Sequence, residues 1–166
     1  MGCLGVHFAL TADEVEKLKS FPDDSGHLDF LQEELEEKYF GEEPDFKAES
    51  DKAWDAMHRA LTDGKLEYGG ADARSLVVLG GEPLYFENDY IIVLKTPEQV
   101  REVAGVVTSI SKSNMRQGYD NISPKAYGYP KSDEDFEYTW DWFQGVAELF
   151  KKAAQENRFV LFTASQ

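Results

Sequence analysis

The stretch from Ser50 to Gly64, SDKAWDAMHRALTDG, restricts the folding of this chain more than any other. Trp54, Met57, His58 and Leu61 recur at i, i+3, i+4 and i+7, which sets all four on one face of an α-helix. Ser50 or Asp51 can cap the start of that helix, and Gly64 suits a left-handed residue beyond its end. A helix with a tryptophan on its apolar face, near the middle of the chain, predicts a central core helix.

The rest of the chain supplies strands and further helices to cover it. Leu4, Val6, Phe8 and Leu10 alternate with Cys3, Gly5, His7 and Ala9, which reads as a first strand whose small second face can also be covered. Thr11 and Glu14 form a capping box for a helix carrying Val15, Leu18 and Phe21, ended by Pro22. Asp24-Ser25-Gly26 reads as a turn. A second helix is predicted from about His27 to Phe40, with Leu28, Leu31, Leu35 and Tyr39 on one side and glutamates on the other. Gly41 to Glu49 reads as an acidic connection. Ala71 to Leu79 reads as a short helix capped by Asp72 and closed by Gly80, with a strand as the alternative. Leu84–Phe86 is a short strand candidate. Tyr90 to Leu94, an unbroken aromatic and β-branched run, predicts a central strand covered on both faces. Thr96-Pro97-Glu98-Gln99 is a helix start with proline at the first position. Val100, Val103, Ala104, Val107 and Ile110 line that helix. A short helix to about Gly118 follows, then an irregular tyrosine-rich stretch to Pro130. Ser132 opens the longest helix, to about Glu156, with a stripe of Phe136, Trp140, Phe143, Ala147, Phe150 and Ala154. Phe159–Thr163 is the last strand. The pattern is that of one α+β domain over residues 1–166, with helices packed around a small mixed β-sheet.

Charge narrows the function classes. The 166 residues carry 32 acids against 17 lysines and arginines, a formal net charge of −15. Such a chain repels a phosphate backbone and an anionic membrane surface, so neither nucleic acid nor membrane is a predicted partner. It favours fast, salt-sensitive encounter with a basic protein. Glu33 to Asp51 holds nine acids and two lysines, a net −7 within 19 residues. A run of this kind is ordinarily a solvated face; as a docking surface, its candidate residues are Glu36, Glu37, Glu42 and Glu43. No apolar run approaches the ~20 residues of a membrane span, and no basic-then-apolar leader opens the chain, which reads as cytoplasmic. Val6 stands where the myristoylation pattern needs Ser or Thr.

Chemistry-bearing motifs are sparse. One cysteine, Cys3, excludes an internal disulfide and a cysteine metal site, and in a buried strand it should be inert. Three scattered histidines make no helix-borne zinc pair, and no metal or cofactor is predicted. Gly80-Gly81 does not extend to a phosphate-cradling loop. His58 shares a face with Trp54 and reads either as a satisfied core group or as a pocket acid/base. If the stretch holding Tyr119, Asp120, Tyr127 and Tyr129 covers the His58 end of the central helix, an aromatic cleft with a titratable group results.

Several stretches together resemble the YfbM-like family, a bacterial domain of unknown function. They are Met1-Gly2-Cys3-Leu4-Gly5, Lys52-Ala53-Trp54-Asp55-Ala56-Met57-His58-Arg59-Ala60-Leu61-Thr62, and Val78-Leu79-Gly80-Gly81. Tyr90, Tyr119-Asp120, Tyr138, Phe143, Phe150 and Ala153-Ala154 complete the set. The resemblance covers nearly the whole chain and implies a cytoplasmic α+β domain; it carries no catalytic residues. Two functional expectations follow. One is a non-enzymatic protein-binding module for a basic partner, in its sharpest form an immunity protein neutralising a basic antibacterial toxin. The alternative is a small-molecule-binding protein or unrecognised enzyme using a cleft near His58 and the Tyr119–Tyr129 loop.

Overall fold

The computed structural model describes residues 4–85 and 90–165. The expectations for Met1, Gly2, Cys3 and Phe86 lie outside the described residues. Strands β1 (Leu4–Leu10), β2 (Lys47–Asp51), β3 (Glu82–Tyr85), β4 (Tyr90–Lys95) and β5 (Phe159–Ser165) form one sheet in the order β2-β1-β5-β4-β3. Every pairing among the described residues is antiparallel. The mixed sheet of the sequence reading is thereby corrected. An unbroken apolar strand such as β4 requires burial on both faces, and helices supply that here without any parallel neighbour.

Alternation along the strands divides the core in two. Phe8, Leu10, Ile92, Leu94 and Leu161 point to one side. They pack against α1 (Ala12–Ser20), α2 (Asp24–Phe30) and α3 (Glu36–Gly41), through Val15, Leu18, Phe30 and Tyr39. Ala9, Ile91, Val93, Val160 and Phe162 point to the other side. There they meet α4 (Trp54–Leu61), α5 (Pro97–Val107), α6 (Lys112–Asp120), α7 (Pro124–Tyr127) and α8 (Asp133–Gln155). The sheet is thus the middle of three layers, and α4 sits in the larger helical layer.

Local chemistry fixes the elements. The capping boxes at Thr11 with Glu14 and at Thr96 with Gln99 both form. Ser132 caps α8 by accepting from the Asp135 amide. The second helix begins earlier than predicted, because the Asp23 side chain accepts from the Gly26 amide and draws Asp24–Gly26 into the first turn. It continues through a π-helical turn, Leu31–Leu35, into α3. At α4 neither expected cap acts: the residue before the helix is Ala53, with no side-chain cap, and Ser50 is buried in β2. Asp51 instead adopts a left-handed φ of 47°, turning the chain out of β2. Gly64, at φ 90°, ends the segment as predicted. Between Ala71 and Leu79 only Ser75–Val77 is helical, a single 3-10 turn. Leu76 to Leu79, from within that turn to the irregular turn after it, are fully buried. The stretch after Tyr119 is less irregular than predicted, since α6 continues to Asp120 and α7 forms a further turn.

Candidate functional site

His58 lies in the middle of α4 with 1% of its surface exposed. Its Nδ1 accepts from the Leu79 amide at 3.4 Å, and its ring also bonds the Glu67 backbone. Two further bases join it under the same loop. His7, from β1, donates Nε2–H to the Val77 carbonyl at 2.6 Å; a carbonyl only accepts, so the proton resides on that nitrogen. Lys95, the last residue of β4, donates Nζ–H to the Val78 carbonyl. Both are fully buried. Burial, then the nearby Lys95, depress His7 to about 3 and His58 to about 4. Burial alone holds Lys95 well below the usual lysine range. Period-2 alternation could have exposed this cluster in the sequence. Lys95 shares the face of Ile91 and Val93, and His7 shares that of Ala9, both core-facing.

One edge of His58 reaches a cavity of about 370 Å³, lined also by Asp63, Glu67, Tyr68, Asp72 and Ser75. The tyrosine stretch does not close over it. Tyr119 and Tyr127 both donate to Asp135 Oδ2, at 2.7 and 2.9 Å. Burial and that carboxylate push the Tyr119 hydroxyl up to about 12, and raise Tyr127 further. Asp120 pairs with Arg116 at 2.9 Å. Arg59 anchors this side of α4: it binds Asp55 at 2.7 Å, the Gly64 carbonyl at 3.1 Å and the Ala126 carbonyl at 3.2 Å. Tyr119 and Tyr127 therefore converge on Asp135, Asp120 pairs with Arg116, and none of the three lines the His58 cavity. Asp135, the shared acceptor, reads in sequence only as one more acid in a helix start.

Trp54 is a core residue, 5.7 Å from Phe162 ring to ring. It packs against β1 so closely that a Cβ at Gly5 would lie 2.7 Å from its Cδ1.

The acidic run resolves into distinct environments. Glu36, Glu49 and Asp51 line a groove of about 450 Å³ at the end of β1, together with Phe40, Tyr90 and Trp142. Tyr90 donates to Glu36 at 2.6 Å, and Tyr138 bonds Asp51. Lys47 pairs with Glu49 at 3.1 Å, but no basic side chain is among the groove's lining residues. Two of the four exposed large apolar side chains among the described residues border it: Leu4, 49% exposed, and Phe40, 46%. Glu37 and Glu42 are exposed outside this lining, and Glu43 turns toward Lys38 and Arg158 at 3.9 and 4.0 Å. Among the described residues, no group of three or more His, Cys, Asp or Glu could hold a metal ion. No described helix is long and apolar enough to cross a membrane.

The family model for a Domain of unknown function (DUF1877) matches residues 1–163. The chain belongs to the DUF1877 family. The crystal structure of YfbM from Escherichia coli, a protein of unknown function, resembles this DUF1877 chain with a TM-score of 0.66. The match spans 97% of this chain and 99% of YfbM at 16% identity, so what the two share is the fold. No curated protein matches the chain.

Proposed function

We propose that this DUF1877 chain is a protein-binding module, and that its docking surface for a basic partner is the groove between α3, β2 and α8. The observation that carries the reading is the meeting, in one groove, of three carboxylates with the exposed faces of Leu4 and Phe40. Carboxylates beside aromatic rings suit a lysine or arginine side chain, through ion pairing and cation–π attraction. Exposed apolar surface beside them supplies the contact area that charge alone lacks. The net charge of −15 steers a basic partner toward the surface.

The test uses two substitutions of exposed residues, Phe40→Ser and Glu49→Lys, with Glu102→Lys on α5 as a control of equal charge change. A basic protein captured by the wild-type chain is purified, and its association is followed at rising salt. Glu49→Lys should slow association several-fold and flatten its salt dependence, Phe40→Ser should speed dissociation, and Glu102→Lys should do neither. Equal kinetics in all four proteins would refute the groove as the docking surface. A basic toxin is the sharpest form of such a partner: co-expression of the wild-type chain should then restore growth, and Phe40→Ser should not.

A small-molecule site at the His58 cavity is the second reading, favoured by the titratable lining of that cavity. The groove is preferred because both sides of the His58 ring are already engaged by backbone.

A further inference from the structure

Val77 closes the 3-10 turn, Val78 and Leu79 follow it in an irregular turn, and all three are fully buried. Their backbone polar groups have lost water and need partners. Each is held by a basic side chain from a different element: His7 of β1, Lys95 of β4 and His58 of α4. We propose that Ser75–Gly81 is an acid-released latch over the His58 cavity, held shut by these three buried bases and loosened when the two histidines take up protons.

The geometry makes protonation costly at both histidines. His58 Nδ1 is the acceptor for the Leu79 amide, so a proton there deletes that bond and sets two donors face to face. His7 Nδ1 is buried without a partner, so a proton there meets no acceptor. The rings around His7 are Phe150 of α8 and Phe162 of β5. Lys95 lies 5.5 Å over the same Phe162 ring. The charged groups facing the cluster are chiefly like in sign: Lys95 acts on both histidines, and Arg59 on His58. The bond to the Glu67 backbone and the charge of Asp63 favour charge on His58.

Release would reach the cavity directly. The Gly80 amide bonds the Ser75 carbonyl at 2.8 Å, and the Gly81 amide bonds the Gly70 carbonyl at 3.0 Å. Gly70, Asp72 and Ser75 are cavity wall. With residues 77–79 unfastened, that wall loses its three ties to the buried bases and keeps Arg74, which donates to the Leu61 carbonyl at 2.9 Å.

Opening restores ordinary titration, near pH 6.5 for each histidine. Each proton bound only in the open form raises the opening constant about tenfold per pH unit of acidification. Both histidines count below about pH 6, so the rise there approaches 100-fold per unit.

Hydrogen exchange tests this in the intact chain. Opening constants for the Leu79, Gly80 and Gly81 amides are measured from pH 7.5 to 4.5, corrected for intrinsic rates, beside Leu161 and Phe162 of β5. The latch amides should open more readily than β5 at every pH, with a slope approaching two protons below pH 6. His7→Gln and His58→Gln keep a side-chain hydrogen-bonding group without titrating, and each should lower that slope by about one proton. Latch amides that exchange in step with β5, or with a slope of one proton or less, would overturn the proposal. Ring nitrogen spectra of the wild-type chain decide the matter even if a variant does not fold. Both imidazoles should be neutral and protonated at Nε2 at pH 5.5, and a charged ring at either position in the folded chain would overturn it.

Discussion

Gly118→Ala puts the packing of the central helix to a quantitative test. Gly118 sits in α6 where that helix crosses α4, and a Cβ there would fall 1.9 Å from the Ala60 carbonyl oxygen and 2.8 Å from its carbon. Real Cβ contacts stay above 3.0 Å, so α6 must retreat by about 1 Å. The obstacle is backbone, so no rotamer change relieves it. A gap of 0.5–1 Å forfeits roughly a quarter to a half of each contact across the interface, and Met115 and Tyr119 of α6 are buried there. Overpacking of this kind costs about 1–3 kcal/mol. Alanine's advantage over glycine in a helix returns at most about 1 kcal/mol. A net loss of about 1–2 kcal/mol lowers Tm by roughly 2–8 °C in a chain of this size. Gly105 of α5 and Gly145 of α8 are the controls, because a Cβ at either meets nothing within 4 Å. The same substitution there should stabilise by about 0.5–1 kcal/mol. Thermal and urea unfolding of the three variants decides it. A Gly118→Ala Tm at or above that of the wild type would refute the close α4–α6 approach.

Two further outcomes follow from the Asp135 network and the buried hydroxyls. Asp135→Asn removes the charged acceptor shared by Tyr119 and Tyr127 and should cost about 1–3 kcal/mol. Spectrophotometric titration should show the Tyr119 hydroxyl falling from about 12 toward the ordinary tyrosine range, and an unchanged titration would contradict the shared bond. Tyr39, Tyr90, Tyr119 and Tyr127 all have raised hydroxyls, with burial the first cause in each. A raised folded value means that the native chain keeps its proton longer than the unfolded one. That stability is therefore fully present below about pH 10 and lost as pH rises beyond it. Urea midpoints should fall between pH 10 and 12, and a flat profile there would contradict the burial of these hydroxyls.

Much of the fold is legible in the sequence because it rests on local rules. The capping boxes at Thr11 and Thr96 need only residues three apart, and the Trp54–Leu61 face needs only helical spacing. What is hidden depends on partners distant in the chain. Strand β2, KAESD, lacks β-formers apart from its setting, and its outward Lys47, Glu49 and Asp51 read as part of a solvated run. It becomes a strand because β1 offers an open edge and buries Ala48 and Ser50 between the helices. The same pairing brings Glu49 and Asp51 beside Glu36, although thirteen residues or more separate them in the chain. A groove assembled by strand pairing is invisible to a count of charges, which sees Glu36, Glu37, Glu42 and Glu43 as equivalent.

The buried bases show the converse case, in which alternation is legible but its meaning is not. Period 2 sets His7 and Lys95 toward the core, where a charged lysine or histidine is a liability that strand patterns ordinarily avoid. They are tolerable because Val77–Leu79 enters the same core without a ladder of its own and presents two carbonyls and an amide that need partners. Leucine at position 7 or 95 would satisfy the packing and leave a buried carbonyl unpaired, at about 1–3 kcal/mol. The bases and the irregular segment therefore account for each other. The loop can be buried because the side chains bond its backbone, and the side chains can be buried because that backbone offers them partners.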